Sequence, residues 1–110
     1  MKNPETPIGS LQRQVDQWIE QIGKGYFSEL TNMAILSEEV GEVARIIARK
    51  YGDQVAKESE VGSDLGEELA DVLFVVLCLA NQTGIDLDTA WDRKMKKKTD
   101  RDRERFDRNG

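Results

Sequence analysis

GEELADVLFVVLCLA, residues Gly66 to Ala80, decides the fold of this chain. With the residues around it, the apolar positions Leu65, Leu69, Val72, Leu73, Val76, Leu77 and Ala80 recur at spacings of three and four, which is the wide apolar face of a helix. Asp64, three residues before Glu67, has the pattern of a capping box with Asp in place of Ser or Thr, and Gly84 stands where such a helix would stop. One charge interrupts the twelve residues from Leu69 to Ala80, and it is Asp71. A carboxylate is a poor choice inside an apolar run, so this position asks for a reason.

Working outward, Ile8, Leu11, Val15, Trp18 and Ile22 form the stripe of a first helix closed by Gly23 and Gly25. Ser28 suits the cap of a second, whose stripe Met33, Leu36, Val40, Val43 and Ile47 runs to Tyr51 and Gly52, with Gly52 expected in a left-handed cap. Residues 53–62 (DQVAKESEVG) carry no period and read as a flexible, exposed connection. After the central helix, Asp86 or Asp88 would cap a fourth helix containing Ala90, Trp91 and Met95, which continues into the charged tail KKKTDRDRERFDRNG with a frayed end. The expected fold is all-α: a single four-helix bundle-type domain over residues 1–110, with helices two and three antiparallel.

Composition narrows the function. The 110 residues include 34% charged and 6% aromatic side chains at a net charge of -5. That balance suits packed helices and repels nucleic-acid backbones and anionic membranes, so neither duplex nucleic acid nor a membrane is an expected partner. The N-terminal MKNPETPIGS has no apolar leader core and the run Val72 to Ala80 is too short to span a bilayer, giving an expectation of a cytoplasmic protein. Cys78 is the one cysteine and reads as a small buried hydrophobe. There is no histidine, which excludes a Ser-His-Asp triad, a His-ligated zinc and a ferritin-type Glu-x-x-His site built from this chain alone.

The chemistry must therefore come from carboxylates, amines and hydroxyls, and the carboxylates are paired. In Ser37 to Val43 (SEEVGEV), Glu39 and Glu42 are three apart and project side by side from one helix face; Glu68 and Asp71 repeat the spacing on the next helix. Two such charges about 5 Å apart repel by roughly 3 kcal/mol at an effective dielectric of about 20, and facing pairs multiply the cost. A hard divalent cation is the natural compensation for an all-oxygen set, magnesium first and manganese as its alternative. The competing reading is a solvated acidic surface; Asp71 within its apolar run weighs against that.

Glu38-Glu39-x-x-Glu42, a spacer of 25 residues, and Glu68-x-x-Asp71 resemble the EExxE…ExxD signature of the all-α nucleotide pyrophosphohydrolases, the MazG-like proteins. The resemblance covers helix one to Arg101. It implies that Glu39, Glu42, Glu68 and Asp71 are magnesium ligands and that Glu38 orients or deprotonates the attacking water. It also implies basic residues late in helix four that meet substrate phosphates. The matching segment runs from Arg93 to Arg101, with Lys94, Lys97 and Arg101 on one face, and it departs from the family pattern at Lys98. The implied activity is hydrolysis of nucleoside triphosphates to monophosphate and pyrophosphate in nucleotide-pool house-cleaning, by a homodimer or dimer of dimers with active sites near subunit interfaces.

For the nucleobase, Asn32 offers a polar edge reader, and Tyr26, Phe27 and Tyr51 offer stacking surface. Trp18, on the helix-one stripe, reads as core packing. Two rivals stand beside the triphosphatase: a relative of the same fold acting on phosphoribosyl-ATP or dUTP, and a non-enzymatic helical dimerisation or regulatory module.

Overall fold

The computed structural model describes residues 7–52 and 64–109, so the expected connection over residues 53–62 lies wholly outside the described residues. Four α-helices follow one another: α1 (Ile8–Trp18), α2 (Glu29–Tyr51), α3 (Leu65–Gln82) and α4 (Leu87–Asn109), with a π-helical turn, Ile19–Gly23, continuing α1. The all-α expectation holds.

The helix ends follow from short polar side chains. Ser28 Oγ accepts from the N–H of Thr31 at 3.1 Å to start α2, and Arg49 and Lys50 in its last turn complement the helix dipole. Asp64 accepts from the N–H of Gly66 at 2.8 Å to start α3. That helix ends in a Schellman motif: Ile85 N–H reaches Ala80 C=O at 2.9 Å, Gly84 N–H reaches Asn81 C=O at 3.3 Å, and Gly84 takes φ of 72°. Asp86, through Asp88 N–H at 3.1 Å and Thr89 Oγ1–H at 2.8 Å, caps α4.

Four local expectations are corrected. Gly52 has φ of -102°, extended rather than left-handed; its N–H closes on Ala48 C=O at 3.0 Å, and a Cβ would stand 2.5 Å from that oxygen, so space selects glycine there. The left-handed residue after helix one is Lys24 (φ 61°), followed by Gly25 at φ 117°. The stripe on helix one also departs from expectation: Ile19, four residues after Val15 at ordinary α-helical spacing, is buried, and past the π turn that begins there Ile22 is left 63% exposed. Trp18, expected in the core, is 48% exposed and meets Phe74 edge to face, with ring centroids 5.7 Å apart.

α2 and α3 pack antiparallel. Asn32, in the first turns of α2, hydrogen-bonds Gln82 at the end of α3, while Glu39 lies against Glu68 and Asp71 near its start. α1 covers α3, and Val15, Ile19, Leu77 and Cys78 form the core cluster, with Leu11, Tyr26, Phe74 and Leu87 packed on it. The apolar face of α2 is less buried than its period suggests: Asn32 and Ile46 are buried, while Met33, Val40 and Ile47 are exposed, as are Leu69 and Leu73 of α3.

The α3–α4 corner is tied down by two polar residues. Gln12, buried on α1, donates from Nε2 to Ile85 C=O at 2.8 Å and to Asn81 Oδ1 at 3.1 Å, and accepts from Leu87 N–H at 3.0 Å. Asp88, one of two expected caps for α4, instead caps α1, accepting from the N–H groups of Ile8 and Gly9 at 2.8 and 3.1 Å. Pro7, the residue before α1, makes no side-chain cap, so Asp88 supplies the acceptors that the helix start requires. Beyond this corner α4 is exposed from Trp91 to Arg101. Among the described residues no single helix is long and apolar enough to cross a membrane.

A Cβ at Gly9 would stand 2.8 Å from Asp88 Oδ2. Gly9→Ala should destabilise the fold by about 1 kcal/mol by breaking this cap, and Asp88→Ala by about 1–2 kcal/mol. In the Asp88→Ala background, Gly9→Ala should instead be neutral or stabilising, since alanine is then only a better helix former. Urea midpoints of the four chains decide this, and equal loss in both backgrounds would refute the cap.

Candidate metal centre and adjoining cavity

Where α2 and α3 cross, Glu39, Glu68 and Asp71 converge. Each offers a carboxylate oxygen, and the three oxygens lie within 4.8 Å of one another. Glu39 and Glu68 are half-buried and Asp71 is exposed, so the charge in the apolar run of α3 sits on the rim of the helix rather than in the core. None of the three forms an ion pair among the described residues. The electrostatic consequence appears at Glu39, whose carboxyl is held above its ordinary range, first by desolvation and then by the charges of Asp71, Glu68, Glu42 and Glu38. An oxygen-only donor set under mutual repulsion fits a hard divalent cation.

The other expected acidic residues lie nearby but outside this trio. Glu42 is turned to Arg45, three residues on, in a short ion pair. Glu38 is exposed beside Glu39. Glu68 also sits in the first turn of α3 with Glu67, where the helix dipole favours negative charge.

Next to the carboxylates is a cavity of about 370 Å³. Trp18, Tyr26, Phe27 and Phe74 supply its aromatic wall; Ile19, Ile35 and Cys78 add aliphatic and thiol surface, and Glu39 and Asp71 complete the lining. A cavity of this size, mostly apolar with a few polar groups, suits a small organic ligand. Burial pushes the Cys78 thiol up, which keeps it a neutral apolar group. Tyr26 is anchored from behind: its hydroxyl donates to Asp16 at 2.6 Å and accepts from Asn81 at 3.0 Å. Burial, and then this bond to Asp16, raise its phenol to about 12.

Asn32 also lines the cavity and is only 5% exposed. It lies seven residues before Glu39, so both are on one face of α2, about 10 Å apart along the axis. Tyr51 is exposed at the far end of α2 and lies outside the cavity lining. The basic candidates are not brought to the carboxylates by this chain's own fold: Lys94, Lys97 and Arg101 are exposed on α4, which packs on α1.

Trp18, Phe74 and Gln82 escaped the sequence reading as site residues. Trp18 was absorbed into the stripe of helix one, and Phe74 stood unremarked in the apolar run of α3. Gln82 stands in the polar end of α3, and only the antiparallel packing reveals that it faces Asn32.

An all-α bundle with paired acidic motifs on two antiparallel helices and an aromatic cavity beside them defines the class of all-α nucleotide pyrophosphohydrolases. Residues 27–106 match the model of the MazG nucleotide pyrophosphohydrolase domain, and the chain belongs to that family. It is 46% identical over 98 residues to the uncharacterized protein YpjD of Bacillus subtilis (strain 168), covering 89% of this chain and 88% of that protein. The crystal structure of the putative pyrophosphatase YPJD from Bacillus subtilis aligns with a TM-score of 0.75 at 42% identity, over 86% of this chain and 95% of that one. The crystal structure of the Bacillus-conserved MazG protein, a nucleotide pyrophosphohydrolase, aligns with a TM-score of 0.69 at 41% identity, over 86% and 91%.

A raised carboxyl in the folded state means that folding is favoured with Glu39 protonated, and that this contribution is lost as pH rises through the folded-state value. Glu39→Gln should therefore raise Tm at neutral pH in EDTA, with the gain shrinking as pH falls through the raised folded-state value and gone below the ordinary carboxylate range. Magnesium should raise the Tm of the parent chain and leave that of the variant nearly unmoved. Thermal denaturation with magnesium and with EDTA reads both; a lower Tm for the variant in EDTA would show that the carboxylates do not repel.

Proposed function

We propose that this chain hydrolyses nucleoside or deoxynucleoside triphosphates to the monophosphate and pyrophosphate, with magnesium or, in its place, manganese, and serves nucleotide-pool house-cleaning in the cytoplasm. The observation that carries this is the convergence of Glu39, Glu68 and Asp71 beside a cavity lined by aromatic side chains. The solved relative described as a nucleotide pyrophosphohydrolase supports it.

In this reading Glu39, Glu68 and Asp71 hold the ion, joined by Glu42 when it leaves Arg45. A bound divalent ion supplies charge that polarises the α-phosphate and lowers the pKa of water. Glu38, exposed and next in sequence to Glu39, orients or deprotonates the attacking water. The nucleobase enters the cavity against Trp18, Tyr26, Phe27 and Phe74, with Asn32 at its edge. Lys94, Lys97 and Arg101 neutralise the departing pyrophosphate.

Those three cations come from a second copy. Within one chain they lie on the helix that packs against α1, while the α2 and α3 surfaces around the carboxylates expose Met33, Val40, Leu69 and Leu73. A homodimer, or a dimer of dimers, would cover that apolar surface and bring a neighbour's α4 to the phosphates.

Incubation with a panel of ribo- and deoxyribonucleoside triphosphates should release pyrophosphate, not phosphate, with magnesium and none with EDTA. Asp71→Asn should keep the helical circular dichroism and lower turnover by roughly 100-fold or more, as for loss of a metal ligand. Turnover of phosphoribosyl-ATP or dUTP alone would reassign the substrate, and no turnover with helicity intact would leave a non-enzymatic module.

The shared site has its own test. Asp71→Asn and Lys97→Ala chains, each impaired alone, should regain up to about a quarter of the parental activity when mixed and reassembled as dimers, because statistical pairing creates intact sites. Failure to complement while mixed dimers demonstrably form would place both residues in one chain's site.

A further inference from the structure

We propose that the cavity sorts nucleobases by the group at the edge farthest from the sugar, accepting the amino-bearing bases cytosine and adenine over their keto counterparts uracil and hypoxanthine. Gln82 is the positioning residue that sets this preference. The inference rests on the reading that the cavity takes a nucleobase and adds which one.

The argument starts at a backbone carbonyl, which can only accept. Phe27 C=O accepts from Gln82 Nε2, and that bond fixes which way the Gln82 amide faces. Its Oε1 is then turned to α2, where it accepts from Asn32 Nδ2 at 2.8 Å. The same Nδ2 makes a longer contact, 3.5 Å, with Phe27 C=O. Both donors of Asn32 are thereby directed at Gln82 and Phe27, and the amide cannot flip without setting oxygen against oxygen.

What Asn32 has left is Oδ1. Among the described residues no hydrogen bond reaches it, although Asn32 is 5% exposed and lines the cavity. Oδ1 is not shut away from the cavity, since it is not among the fully buried polar atoms that lack a partner, and it is left open to a donor that a ligand brings. Tyr26, also in the lining, is already committed to Asp16 and Asn81, and Glu39 and Asp71 stand at the metal end of the cavity. At the Asn32 end the base therefore meets an acceptor without a donor of its own.

Register on α2 says which edge of the base arrives there. Asn32 and Glu39 share a helix face about 10 Å apart, so an α-phosphate held at the carboxylates places the edge of the base distal to the sugar at Asn32. At that edge cytosine and adenine carry an amino group, a donor that matches Oδ1. Uracil and hypoxanthine carry a carbonyl there, which faces Oδ1 with no proton between them.

Monophosphates test this apart from catalysis. In a Trp91→Phe chain, Trp18 is the one remaining tryptophan, and it lines the cavity. Titration with dCMP, dUMP, dAMP and dIMP, followed by its fluorescence in magnesium, should show each amino nucleotide binding roughly tenfold or more tightly than its keto partner. Gln82→Met, which frees the Asn32 amide to turn, should bring both ratios to about one. Equal affinities or tighter keto binding in the parent chain would overturn the inference, as would a Gln82→Met chain that keeps the full amino preference. Equal affinities together with pyrophosphate release would leave the proposed reaction standing. Amino preference without release from any triphosphate would overturn the reaction and keep the inference.

Discussion

The antiparallel contact of α2 with α3 is the constraint on which the rest of this structure depends, because it forces Glu39, Glu68 and Asp71 within 4.8 Å of one another. Nothing in helix packing favours that arrangement. Glu39 registers the penalty as a carboxyl held above its ordinary range by desolvation and its neighbours' charges. The contact persists because apolar surface is buried elsewhere along the same helices: Ile46 on α2, and Val75, Leu77, Cys78 and Ala80 on α3. The result is a helix pair with a locally unfavourable charge density, which a bound cation would relieve.

α1 supplies what the pair lacks. Ile19, four residues after Val15, enters the core and leaves Trp18 edge-on to Phe74 beside the cavity; the π turn Ile19–Gly23 then ends the helix. Lys24 and Gly25, both at positive φ, then reverse the chain so that Tyr26 and Phe27 return to the same wall. The polar ties from Gln12 to residues 81, 85 and 87, and from Asp88 to the start of α1, hold that wall against α3. Each tie satisfies backbone groups that a helix end or a corner would otherwise leave orphaned.

The sequence made the helices legible because caps and periodicity are local: Ser28, Asp64 and Gly84 act where their neighbours say they should. The acidic constellation was legible because Asp71 contradicts its surroundings, and contradiction is a signal. Period alone could not show that Asp88 caps a different helix, since the partner is about 80 residues away in sequence. Nor could it choose between Trp18 and Ile19 on α1, because three and four residues after Val15 are both helical spacings. The half-exposed stripe of α2 is the clearest case: Met33, Val40 and Ile47 have the right period to be buried, but within one chain α3 covers only part of that face.

In the proposed reading charge and selectivity are separated along α2, and electrostatics explains why. A charged reader at the Asn32 end would sit in an apolar cavity with no cation to offset it, and its desolvation would cost more than its contacts return. A neutral amide avoids that cost, but only if its two ends are told apart, which the bond from Gln82 to Phe27 C=O accomplishes. At the Glu39 end the opposite holds: three half-buried or exposed carboxylates are tolerable only because solvent or a cation can reach them. Two helical turns of α2, with Ile35 between, keep the neutral end from feeling the field of the charged one at full strength. One helix face thus carries both tasks, and the distance between them is set by the rise of the α-helix.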